Sequence, residues 1–66
     1  EQVLLTVFNS LGQQIMTLVD SRQSPGVHRI RWDGRNSDGQ LVDSGLYLYR
    51  IQAGNFAATK KMMFIQ

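Results

Sequence analysis

From Leu46 to Ala53 the side chains change character at every step: Tyr47, Tyr49, Ile51 and Ala53 form one series, Leu46, Leu48, Arg50 and Gln52 the other. Successive side chains of an extended chain point to opposite faces, so this period of two describes a strand and does not fit an amphipathic helix. The same period runs through Val3-Leu4-Leu5-Thr6-Val7-Phe8, where Val3, Leu5 and Val7 share a face. Gln13 to Val19 is a second extended stretch, but Ile15, Leu18 and Val19 break the alternation, which predicts a bulge or an edge. Val27 to Trp32 reads as a third strand, with His28, Ile30 and Trp32 inward and Arg29 and Arg31 toward solvent. Phe56 to Ile65 reads as the last strand, and no helical period or internal repeat interrupts the series.

Turn chemistry separates these stretches. Asn9-Ser10-Leu11-Gly12 joins the first two, because Asn and Gly tolerate positive φ. A Ser-rich loop from Asp20 closes on Pro25-Gly26. Asp33-Gly34, Ser37-Asp38-Gly39 and Asp43-Ser44-Gly45 are three successive turn signals, with Gln40-Leu41-Val42 a short strand between them. Gly54-Asn55 fits a two-residue hairpin turn with Gly at its first central position. Short antiparallel strands alternating with turns predict a sandwich or barrel, and a single sheet would leave its apolar face wet, so two layers are expected. The expected core is Val3, Leu5, Val7, Ile15, Ile30, Trp32, Tyr47, Tyr49, Ile51 and Met62.

With 66 residues and no cysteine, the chain has room for one domain over 1–66 and no disulfide or thiolate metal site. Such a domain buries only about 60% of the surface its unfolded chain exposes, so its core is thin. At 42% apolar and 18% charged residues the composition is globular rather than disordered. The net charge of +2 is scattered except at Lys60-Lys61, which argues against a nucleic-acid surface. No apolar run reaches the ~18 residues that insertion as a membrane helix needs. The chain opens at Glu1 directly in strand-like sequence, as a fragment of a larger protein would.

Little chemistry is on offer. His28 is the single histidine, and on the expected core face beside Trp32 it reads as a packed side chain rather than a catalytic base. A metal site would want more nitrogen or sulfur ligands. Asp33, Asn36, Asp38 and Asp43 carry oxygens suited to calcium, but turn formation explains the same residues, and no Glu stands where a calcium loop would need its bidentate ligand. We therefore expect no enzymatic activity, no catalytic or metal-binding residues and no cofactor. Trp32, Tyr47, Tyr49, Phe8, Phe56 and Phe64 suit a carbohydrate-stacking platform only if they form an exposed row; a core this small needs them as filling. Lys60-Lys61 allows two readings, protection of an edge strand from aggregation or recognition of another protein.

Four blocks, in order and covering nearly the whole chain, carry a resemblance to a known family. They are Val7-Phe8-Asn9-Ser10-Leu11-Gly12-Gln13-Gln14-Ile15, Gly26-Val27-His28-Arg29-Ile30-Arg31-Trp32-Asp33-Gly34, Asp38-Gly39 with Ser44-Gly45-Leu46-Tyr47-Leu48-Tyr49-Arg50-Ile51, and Ala53-Gly54-Asn55-Phe56 with Thr59-Lys60-Lys61-Met62. The chain resembles the immunoglobulin-like domain shared by the flagellar hook-capping protein and the C-terminal sorting domain of type IX secretion cargo. Phe8 departs from the family's usual Tyr, and the family's preceding strand is absent.

The resemblance implies an all-β, Ig-like antiparallel β-sandwich with Greek-key connections, lacking its N-terminal strand. Its first functional implication is a sorting signal recognised by type IX secretion, which would export its cargo through the periplasm of a Gram-negative bacterium and leave it secreted or attached to the cell surface. The implied partners are the outer-membrane secretion machinery and a sortase-like peptidase, with a homodimer through an exposed edge strand also in view. The recognition residues so implied are Gly45, Tyr47, Gly54, Lys60 and Lys61. The alternatives are a structural assembly module, as in hook capping, and a carbohydrate-binding accessory domain.

Overall fold

A computed structural model of the chain describes residues 1–24 and 29–66. Four strands, β1 (Gln2–Asn9), β2 (Gln14–Arg22), β3 (Gly45–Ala53) and β4 (Phe56–Phe64), form one sheet in the order β2-β1-β3-β4. All neighbours are antiparallel. The described residues contain no helix. The fold is all-β and consistent with the Ig-like class: the chain leaves β2 at one edge and returns to place β3 on the far side of β1, so two hairpins lie side by side in place of the expected Greek-key succession.

Both hairpins follow from local chemistry. Between β1 and β2 the Asn9 side-chain oxygen accepts the backbone N–H groups of Leu11 (3.0 Å) and Gln13 (2.9 Å), so the Asx turn is fixed by its own side chain. Between β3 and β4, Ala53 pairs with Phe56 and leaves Gly54-Asn55 as a two-residue turn. The broken alternation of β2 appears as two register shifts, between Leu5 and Thr6 and between Val7 and Phe8 of its partner. These bulges place Leu18 and Ile15 outside the simple pairing and accommodate the uneven apolar pattern.

Register sorts the side chains onto two faces. The inner face carries Leu5 opposite Ile51, Val7 opposite Tyr49, and Tyr47 opposite Met62. Leu5, Val7 and Tyr47 are buried, and Val7 has no solvent exposure. Val3, Ile15, Trp32, Tyr49, Ile51 and Met62 are half-buried, as expected of a thin core. Ile30 departs from expectation: it is 47% exposed. Thr6, on the other face of the interior strand β1 between Thr17 and Arg50, is also buried.

The layer over the inner face differs from the expected second sheet. Val27 and His28 lie outside the described residues, and Arg29 to Trp32 forms no strand. The chain then enters a compact turn. Asp33 accepts the Arg35 backbone N–H at 3.1 Å, and the Trp32 indole N–H donates to the Arg35 carbonyl at 2.9 Å. Arg35 and Leu41 form an isolated bridge, so the short strand expected at Gln40–Val42 shrinks to a single pairing. The turn is tied to the sheet where Ser37 N–H donates to the Ile15 carbonyl at 3.1 Å. Three successive turn signals leave too few residues to run a ladder, so side chains and short backbone bonds replace it.

Aromatic packing holds this layer down. Trp32 meets Tyr47 edge-on and Phe64 at a tilt, each with ring centroids 5.2 Å apart, and Tyr47 and Phe64 are 6.4 Å apart. The Phe64 ring lies against Gly34, which is buried with φ +78°, so a Cβ there would overlap the ring. Gly39 has a similar φ of +83° but open space where its Cβ would be. The pair separates backbone strain from steric overlap. Gly39→Ala should cost about 1–2 kcal/mol, the left-handed penalty alone. Gly34→Ala should cost a further ~1–3 kcal/mol from overpacking. Chemical denaturation of both variants checks this; equal losses would mean that Phe64 does not pack on Gly34.

Candidate functional site

The residues implied for recognition are gathered on the β3–β4 hairpin, and three of the five serve the fold. Gly45 opens β3 opposite Phe64. The Tyr47 ring joins the aromatic cluster, and its hydroxyl donates to the Asp43 carbonyl at 2.7 Å, four residues upstream. A tyrosine that binds back to the chain just before its own strand is the corner device of Greek-key sandwiches. Gly54 sits in the turn that sets β4 beside β3. These residues thus determine where β4 stands.

Lys60 and Lys61 occupy the middle of β4, the outermost strand on its side of the sheet. Lys60 is opposite Tyr49, in the inner-face row, and Lys61 is opposite Leu48, in the outer-face row. Both are exposed. Among the described residues the one ion pair is Arg35 with Asp33, at 3.9 Å and well exposed, so neither lysine is neutralised by an acid there. One cation on each face of an outer strand discourages another strand from pairing alongside it.

Other candidates are used up by structure. Asn36 accepts the backbone N–H groups of Asp38 and Gln40 through its side-chain oxygen, each at 3.0 Å, and Asp33 caps Arg35. Two of the four loop residues suited to calcium, Asp33 and Asn36, thus spend a side-chain oxygen on a turn, and no group of three or more His, Cys, Asp or Glu gathers among the described residues. Of the six aromatic residues only Phe56 is largely exposed, at 61%, and no aromatic row faces solvent. A groove of about 540 Å³ on the inner face is lined by Leu5, Val7, Trp32, Tyr49, Met62 and Phe64 among others, with Met63 also contributing to its wall. Phe64, absent from the expected core, is the residue that sequence reading missed. Its parity with Met62 on β4 was the available signal.

Comparison with known proteins covers Gly45, Tyr47 and Gly54 but stops short of Lys60 and Lys61. The model of the FlgD Ig-like domain family matches residues 1–56. The basal-body rod modification protein FlgD of Salmonella typhimurium is 34% identical over 55 residues, which is 83% of this chain and 24% of that protein. The same values hold for the FlgD of Salmonella typhi. The chain therefore spans about a quarter of the length of the curated relatives it matches. No solved structure gives a significant match. The chain belongs to the FlgD Ig-like domain family.

This finding corrects the first functional expectation. A type IX sorting signal, with outer-membrane secretion machinery and a sortase-like peptidase as partners, is not what the chain is similar to; the match is to flagellar FlgD. The physical reason is visible in the motif. Gly45, Tyr47 and Gly54 build a strand entry, a corner bond and a hairpin, which any user of this fold needs, so they mark the fold and not one of its employers. Replacing Lys60 and Lys61 together by Thr should leave the sheet intact but raise light scattering as concentration increases. A double variant that stays monodisperse at every concentration would remove edge protection as their role.

Proposed function

We propose that this chain is a non-catalytic structural module of flagellar assembly, acting as part of an exported hook-capping or rod-modification protein in a Gram-negative bacterium. The observation that carries this reading is the family match over residues 1–56. The geometry is compatible with it: Asp33 and Asn36 serve turns, and the Tyr47 ring serves the aromatic cluster.

A module of this kind works by presenting surfaces at fixed positions. The antiparallel sheet supplies rigidity, and the bond from Tyr47 to Asp43 and the turn at Gly54 fix the placement of β3 and β4. In this reading Gly45, Tyr47 and Gly54 serve recognition by holding the hairpin in place, while Lys60 and Lys61 meet a neighbouring subunit as its charged edge. Such contacts make register and orientation specific without contributing much net affinity, because exposed charges are screened by salt.

The test is a chimera in which this chain replaces the Ig-like portion of a basal-body rod modification protein. In a strain lacking that protein, the chimera should be exported and should restore hooks and swimming. A chimera that is stable and exported but leaves the cells without hooks would contradict the assembly role.

A further inference from the structure

The outer face of the sheet changes character along its length. Toward the start of β1 it is mostly polar: the Gln2 side-chain amide donates to Asp20 at 3.0 Å, and Arg22, Gln52 and Thr59 continue that surface around Leu4 and Ala57. Toward the Asn9 end it is apolar. Phe8 lies opposite Leu48, and Leu46 lies opposite Met63, so four large side chains stand in adjacent cross-strand pairs on one face. Leu46 is 42% and Met63 67% exposed. An antiparallel sheet that keeps one face for its core normally turns polar side chains outward. Here the inner face already holds Leu5, Val7 and Tyr47, and although Thr6 is buried and Phe8 and Leu48 are half-buried on the outer face, the fold leaves Leu46 and Met63 there uncovered.

Charge says what kind of partner this patch fits. Lys61 lies beside Leu48 in the same outer row, and Arg50 is two residues along β3 from Leu48 on the same face. Both are exposed, and neither forms an ion pair among the described residues. The one acid on the described outer face, Asp20, is at the opposite end, opposite Leu4. The patch is therefore apolar with a cationic rim. A second copy of the chain would bring the same cations to the contact, which opposes self-pairing.

We infer that Phe8, Leu46, Leu48 and Met63, rimmed by Arg50 and Lys61, form a docking surface for an amphipathic polypeptide segment whose apolar stripe is flanked by Asp or Glu. The apolar pairs supply the contact, and the two cations select the sign of the partner and its register. The inference deepens the assembly reading by naming the surface that would meet a neighbouring subunit, and it rests on that reading for its biological setting.

A titration with two synthetic helical probes tests it independently of the chimera. One probe carries a leucine stripe flanked by glutamates, and the other has lysine at every glutamate position. The glutamate probe should bind the chain, shift the amide resonances of Phe8, Leu46, Leu48 and Met63, and bind more weakly as salt rises. Arg50→Glu with Lys61→Glu should weaken it by roughly tenfold and reverse the preference toward the lysine probe. Met63→Asp, at the most exposed of the four apolar positions, should abolish binding of the glutamate probe while leaving the amide spectrum dispersed. Equal binding of both probes, binding of neither, shifts confined to the inner groove around Trp32, or self-association through this face would each overturn the proposal. Probe binding with a failed chimera would sink the flagellar reading alone, and a working chimera without probe binding would sink the docking surface alone.

Discussion

The packing of Trp32 on Tyr47 and Phe64 is the contact on which the rest of the structure depends. The sheet has an apolar inner face, and the described part of the connection that covers it, residues 29–44, forms no strand. Three rings from the connection, β3 and β4 meet with centroids 5.2 to 6.4 Å apart, and they join segments far apart in sequence. Gly34 lets the chain pass directly under the Phe64 ring, and the Tyr47 hydroxyl ties the end of the connection at Asp43 to the strand it feeds. Each of these features would be costly or useless without the others. A ring cluster without the glycine would clash, and a corner bond without the cluster would hold a connection that packed on nothing.

Much of this was legible in the residues. The alternation of Tyr47, Tyr49 and Ile51 against Leu46, Leu48 and Arg50 forecast both the strand and its face, because the period of an extended chain follows from backbone geometry. Asn9-Ser10-Leu11-Gly12 and Gly54-Asn55 located the hairpins for similarly local reasons. The covering layer was less legible. Arg29 to Trp32 has a strand's alternation but no strand's ladder, because hydrogen-bond partners depend on what the rest of the chain brings alongside. Ile30 was placed inward by parity from that strand and is instead half in solvent. Thr6 is buried because it lies on the central strand, a matter of sheet order that no local pattern encodes.

The residues that the resemblance implies for recognition can be placed on the fold, which by itself assigns them no partner. Gly45, Tyr47, Gly54, Lys60 and Lys61 do cluster on one hairpin. What the motif could not do was choose between two employers of one fold, since a strand entry, a corner bond and a hairpin turn are requirements of the architecture. The family match made that choice in favour of FlgD. In the reading proposed here, function resides in surfaces that folding leaves over, and the two assigned to it are the lysine-bearing edge of β4 and the apolar end of the outer face.

A double-mutant cycle between Trp32 and Phe64 tests the central claim most directly. Trp32→Phe and Phe64→Leu keep both positions apolar while weakening the contact, so each single variant should remain folded. The account predicts a coupling free energy of about 0.5–1.5 kcal/mol, the range found for packed aromatic pairs. Losses that add to within about 0.3–0.5 kcal/mol would mean the two rings are independent and that something else holds the connection on the sheet.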